Sequence, residues 1–133
     1  MIIAETNLII YSVPAANAAL NEWFAREAPF VSVVSYVEAL GYHRHSAEDK
    51  LALEKFFARS VMLEIDKQVL MKAIELKQMR RMKLGDALIG ATALVHDCTL
   101  ATHNTADFAW IPNLSLMDPF VPNPESPSNE GGA

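Results

Sequence analysis

At 133 residues the chain is the size of one ordinary domain, long enough to bury a core without staples. Hydrophobic residues make up 51% and charged residues 20%, which excludes disorder over most of the length. A formal net charge of −5 argues against a generally basic nucleic-acid binder, and the lone cysteine, Cys98, excludes a disulfide framework or a Cys-based zinc site.

Short apolar runs alternate with longer helical patterns. Met1–Ala4 reads as a buried strand that meets a charge at Glu5. Ala15–Arg26 reads as a helix with Leu20, Trp23 and Phe24 on one face, broken by Pro29. Phe30–Val34, rich in β-branched residues, reads as a second strand, and Ser35–Tyr42 as a helix. Ser46 opens a further helix carrying Leu51, Leu53, Phe56 and Phe57, and Val61–Leu63 is a short strand. Asp66 caps a long helix running to about Met82, with Val69, Leu70, Ala73, Ile74 and Leu76 as its apolar positions. Gly85–His96 is a small-residue apolar helix, Thr99–Ala101 a strand and Leu114–Leu116 a last strand, while Cys98 reads as a small core residue. Strands separated by helices require crossovers, so the expected fold is α/β, with a mainly parallel sheet of four to five strands and helices on both faces. From Pro119 the composition turns to Pro, Ser, Asn and Gly, so the expected organisation is a folded unit over 1–118 and a disordered tail over 119–133. No apolar run approaches the ~20 residues that span a bilayer, and the start of the chain lacks a signal-peptide pattern, so a soluble cytoplasmic protein is expected.

In sheets of this kind ligands bind beyond the carboxyl ends of the strands. Glu5, Thr6 and Asn7 follow the first strand, Ser35 and Glu38 the second, and Thr102, His103, Asn104 and Asp107 a later one, while Asp86 opens the apolar helix. Taken singly, most have a structural use. Ser35-Tyr36-Val37-Glu38 fits a capping box, Asp86 suits the positive start of a helix, and Asn104 or Asp107 can start a helical turn. Glu5 is harder to place, because Glu is both a poor strand residue and a poor cap. Together, four carboxylates at one end of a sheet repel, by roughly 4 kcal/mol for a bare pair 4 Å apart at an effective dielectric of 20. Such a group needs raised pKa values or a cation, and a hard divalent ion such as Mg²⁺ takes oxygen ligands. A metal held there serves phosphoryl chemistry.

The same residues carry a family resemblance. Ala4-Glu5-Thr6-Asn7, Val34-Ser35-Tyr36-Val37-Glu38-Ala39-Leu40-Gly41, Gly85-Asp86-Ala87-Leu88-Ile89-Gly90-Ala91-Thr92-Ala93 and Thr102-His103-Asn104-Thr105-Ala106-Asp107-Phe108 occur in order. In these segments the chain resembles PIN-domain ribonucleases, specifically VapC-type toxins of bacterial toxin–antitoxin pairs, over residues 1–118. The resemblance implies a PIN-like three-layer α/β/α fold and a metal-dependent endoribonuclease that hydrolyses RNA phosphodiesters with a metal-activated water. It implies that Glu5, Glu38, Asp86 and Asp107 form the catalytic and metal site for Mg²⁺ or Mn²⁺, framed by Asn7, Thr102 and Asn104. It also implies a homodimer, for which Tyr36, Leu40, Tyr42, Phe56 and Phe57 are candidates although the core of the domain itself competes for most of them, and a cognate antitoxin protein. Glu5 departs from the family's Asp by one methylene, and a carboxylate displaced by ~1 Å can cost about 100-fold in rate. Whether that change is natural and tolerated or a deliberate weakening stays open, so a catalytically inactive PIN-like protein that binds antitoxin or RNA is the alternative. A phosphoacceptor receiver domain shares the fold class but needs a Lys where Thr102-His103-Asn104 stands.

Five of the 11 basic residues, Lys72, Lys77, Arg80, Arg81 and Lys83, run up to Asp86. This places an RNA-steering patch beside the acids, with Arg80, Arg81 and Lys83 as the nearest contacts, although a solvated helix face explains the run equally well. Arg44 with His43 and His45 is a second, weaker patch, and His103 reads as an ordinary hydrogen-bonding residue.

Overall fold

The computed structural model describes residues 1–13 and 17–121. Five strands, β1 (Ile2–Ala4), β2 (Phe30–Ser32), β3 (Met62–Leu63), β4 (Thr99–Ala101) and β5 (Leu116–Met117), form one sheet in the order β3-β2-β1-β4-β5. Every neighbouring pair is parallel. Six α-helices connect them: α1 (Thr6–Tyr11), α2 (Ala18–Glu27), α3 (Val33–Leu40), α4 (Ala47–Arg59), α5 (Lys67–Met79) and α6 (Leu84–Val95). A 3₁₀ turn covers Thr105–Asp107.

Alternation along the strands splits the core in two. Ile3 and Leu100 point into a cluster with Val69, Leu76, Ile89 and Phe108, beneath α5 and α6. Ala4, Val31 and Ala101 point to the other face, into a cluster with Leu8, Leu20, Phe24, Leu53 and Phe57. This is the expected three-layer α/β/α sandwich, with the sheet parallel throughout rather than mainly so. Cys98 joins the first cluster.

Several boundaries differ from the sequence reading, each for a physical reason. Val33 and Val34 are helical, not strand, because Ser32 Oγ accepts from the Val34 amide and starts α3 there. Ser35 is therefore inside the helix and caps nothing. α3 stops at Leu40, not Tyr42. α2 runs to Glu27, and Ala28 ends it in the left-handed conformation at φ 43° before Pro29, while Ala15 and Ala16 lie outside the described residues. α5 ends at Met79 instead of Met82, where Arg80 turns extended, and α6 starts one residue early, at Leu84. β5 is Leu116–Met117, not Leu114–Leu116. The sequence reading contained no α1. Of the expected apolar helix positions, Leu51, Leu70 and Ile74 are exposed. Ser46 and Asp66 cap α4 and α5 as expected, accepting from the Asp49 and Val69 amides.

β1 sits in the middle, with β2 on one side and β4 on the other. The chain reverses its direction of sheet growth around β1, which opens a crevice at the carboxyl ends of β1 and β4. Leu100 is fully buried there, whereas Leu51 is 52% exposed. Leu100→Ala should cost about 2–5 kcal/mol in urea unfolding, and Leu51→Ala less than about 0.5 kcal/mol; equal losses would contradict this assignment of the core.

Candidate active site

Glu5 stands directly after β1, and its amide donates to Ala101 O at 2.9 Å, extending the β1–β4 ladder by one rung. It is 4% exposed. Its carboxylate accepts from the Asn7 amide through Oε2 and from Thr102 Oγ1 through Oε1 at 3.0 Å. Glu5 is thus the N-cap of α1, contrary to its low cap preference, with one oxygen on the helix and the other on Thr102. Thr102, fully buried after β4, also accepts the Asn104 amide at 3.0 Å.

A second chain of bonds holds Glu38. Thr6 Oγ1 donates to Glu38 Oε1 at 2.6 Å and lies 2.8 Å from Ser35 Oγ. A threonine hydroxyl has one proton, so with that proton on Glu38 the Ser35 hydroxyl donates to Thr6. Ser35 and Glu38 are partners through Thr6, not members of a capping box. Gly85 backs the same carboxylate: a β-carbon there would collide with Glu38 Oε2 and come within 3.2 Å of its Cδ.

Asp86 lies in the first turn of α6 and Asp107 closes the 3₁₀ turn. Burial, more than anything else, holds the Glu5 carboxyl above its ordinary pKa. The Asn7 and Thr102 hydrogen bonds oppose this, and the charges of Asp86 and Glu38 add to it. Asp86 is also raised, by burial first, then by Asp107 and Glu38 against the pull of Lys83. Glu5, Glu38 and Asp86 therefore act on one another electrostatically, and Asp107 acts on Asp86. Asn104 is half-buried beside them, and Asn7 is exposed, contributing its backbone rather than its side chain to Glu5.

Among the described residues, no three His, Cys, Asp or Glu side chains close directly around one point as a ready-made cage. The donor set is nonetheless all oxygen and carries like charges that a cation would relieve, which fits a hard divalent ion that keeps waters of its own. A separate cavity of about 600 Å³, lined in part by Phe24, Phe56, Lys55 and Arg59, has none of the four carboxylates in its wall.

The basic run divides into distinct jobs. Lys72 pairs with Glu75 at 2.8 Å, an exposed bridge of little energetic value. Lys77 Nζ donates to Met82 O at 2.9 Å, pinning the loop between α5 and α6. Arg80 lies over the Trp110 ring, and Arg81 and Lys83 are exposed. His43 accepts a long bond from Arg44, and His45 Nε2 meets Ala39 O at 2.7 Å. His103 Nδ1 is 2.9 Å from Asp118 Oδ2, and its ring packs edge-on to Phe120. Sequence reasoning did not single out Gly85 as the support of Glu38, nor Trp110, whose indole N–H donates to Asp107 O.

The PIN domain family profile matches residues 2–113. The chain belongs to the PIN domain family. Among solved structures, this PIN domain is similar to a toxin–antitoxin complex from Klebsiella pneumoniae, at 26% identity and TM-score 0.68, covering 90% of this chain and 98% of the other. It is also similar to VapBC-1 from nontypeable Haemophilus influenzae, at 25% identity and TM-score 0.74, covering 91% and 100%. VapBC2 from Rickettsia felis, bound to a promoter DNA fragment, shares the fold at 21% identity and TM-score 0.76, covering 89% and 98%. No curated protein matches the chain.

Because Glu5 and Asp86 bind protons more readily folded than unfolded, the native state gains stability on the acid side. It loses that gain as pH rises from the ordinary carboxylate range through the raised folded values. Asp86→Asn should therefore raise the melting temperature at neutral pH by a few degrees, and the gain should shrink as pH falls toward ~4. A melting temperature unchanged or lowered at neutral pH would show that folding does not hold the Asp86 carboxyl above its ordinary pKa. Gly85→Ala should leave the fold intact but push the Glu38 carboxylate off Thr6, visible as a shift in the Glu38 side-chain NMR signals with little change in melting temperature.

Proposed function

We propose that this PIN domain is a VapC-type toxin, a metal-dependent endoribonuclease that hydrolyses RNA phosphodiesters with water. The observation that carries the reading is the pair of hydrogen-bonded supports, Thr102 to Glu5 and Thr6 to Glu38, which fix two motif carboxylates whose charges add to the burial that raises Glu5 and Asp86. Glu5, Glu38, Asp86 and Asp107 are the proposed ligands of Mg²⁺ or Mn²⁺, framed by Asn7, Thr102 and Asn104. When bound, such an ion lowers the pKa of an attacking water and offsets phosphate charge. The protein's part is to fix the carboxylates. Thr102 and the Asn7 amide orient Glu5, leaving each of its oxygens a second lone pair, while Thr6, Ser35 and Gly85 set the angle of Glu38. Arg81 and Lys83, exposed beside Asp86, steer the phosphate backbone with Arg80.

The similar solved structures include toxin–antitoxin complexes, which supports an antitoxin protein as partner. We place the folded unit at 1–118 with the tail at 119–133, and the protein in the cytoplasm; no described helix is long and apolar enough to cross a membrane. We also propose a homodimer. Of the side chains expected at its interface, Tyr36 and Tyr42 are exposed, whereas Phe57 is buried in the core.

One observation favours the alternative of a binding protein without turnover: the longer Glu5 side chain is almost fully buried and spends one lone pair of each oxygen on the protein. Cleavage of total RNA with Mn²⁺, run beside Glu5→Asp and Asp86→Asn, separates the two. The expected result is cleavage by the unsubstituted chain that Asp86→Asn abolishes, together with a rise in melting temperature at millimolar Mn²⁺ that the same variant loses. Cleavage by Glu5→Asp alone would establish the inactive form.

A further inference from the structure

Trp110 and Arg80 come from distant parts of the chain and meet at the edge of the carboxylate site. Arg80 is the residue after α5, where the backbone turns extended, and its Cζ lies over the Trp110 ring at 5.4 Å from the centroid. Trp110 Nε1 donates to Asp107 O at 3.1 Å, so the indole is bonded to the backbone of one of the four acidic residues. Neither element is loose. Phe108 and Ile111, on either side of Trp110, are buried at 1% and 3% and contact α6 at Gly90. Lys77 pins the Arg80–Met82 loop from below through Met82 O. Arg80 is exposed and the indole is half-buried, so the pair presents a cation and an aromatic surface to solvent.

An exposed arginine held against tryptophan adds little to stability, since an exposed cation–π contact is weak. The chemistry it suits is an unpaired nucleobase. Bases stack on aromatic rings and on guanidinium planes, and Arg81 and Lys83 lie on the same loop for the flanking phosphates. We propose that the Arg80–Trp110 pair is a stacking platform for one unpaired base of single-stranded RNA, setting which nucleotide sits beside the carboxylates. The inference rests on the ribonuclease reading and deepens it by naming the form of substrate: a base that is out of a helix next to the cleaved bond.

The test uses the full chain carrying Asp86→Asn, to prevent cleavage, and a fluorescein-labelled single-stranded RNA of about 12 nucleotides, within the usual site sizes of such grooves. Trp110→Ala in that background should weaken binding measured by anisotropy roughly 5- to 150-fold. Trp110→Phe should restore most of it, because a smaller ring still stacks. The slope of log Kd against log salt should stay the same in Trp110→Ala but fall by about 0.7 in Arg81→Ala, since only the latter loses a phosphate contact. A second measurement does not depend on removing the ring. With Trp23→Phe, Trp110 is the only tryptophan, and its fluorescence should be quenched when the RNA binds. Equal affinity with and without Trp110, or RNA binding with no quenching, overturns the platform and leaves the ribonuclease reading standing. Failure of the unsubstituted chain to bind or cleave any RNA overturns both.

Discussion

The hydrogen bond from Thr102 to Glu5 ties together the carboxyl ends of β4 and β1, and the arrangement of the site follows from it. Glu5 is buried among like charges, so its ionised form is costly, and what offsets that cost is a hydroxyl from one strand end and an amide from the helix it caps. Both donors are products of the topology. A central β1 with neighbours on both sides leaves one place where the chain turns away in opposite directions, and Glu5 and Thr102 occupy it. Glu38 is held on the other flank by a hydroxyl relay through Thr6 and Ser35, and by the missing side chain of Gly85. The site is acidic at its centre and basic at its rim, so a net charge of −5 does not prevent attraction of a polyanion to one face.

Much of this was legible from residue order. The five strands, the capped starts of α4 and α5, and the placing of Glu5 at the end of β1 follow from alternating apolar runs and from charges placed after strands. The sequence reading failed where tertiary context overrides local preference. Val33 and Val34 carry strand propensity, yet Ser32 starts a helix ahead of them. α1 is six residues long, too short for a periodic pattern to announce it, and its cap is the Glu5 side chain. Ser35 and Glu38 do have the spacing of a reciprocal cap, but both turn toward Thr6 instead.

Trp110 escaped notice for a different reason. A single aromatic residue in a loop carries no periodicity, and its significance comes from Arg80, thirty positions earlier, and from the Asp107 carbonyl. The basic run was visible, but its division of labour was not: Lys72 and Lys77 serve the protein's own helix and loop, which leaves Arg81 and Lys83 facing solvent.

The amide of Glu5 is itself a rung of the sheet, bonded to Ala101 O. A buried carboxylate whose amide is bonded into the central pairing cannot loosen unless the β1–β4 pairing opens with it. Its amide therefore exchanges with solvent deuterium only through the rarest openings of the molecule, alongside those of Ile3 and Leu100. The mutual repulsion of the carboxylates is consequently borne by the whole cooperative unit rather than relieved by local fraying, and the pocket keeps its shape between one encounter and the next.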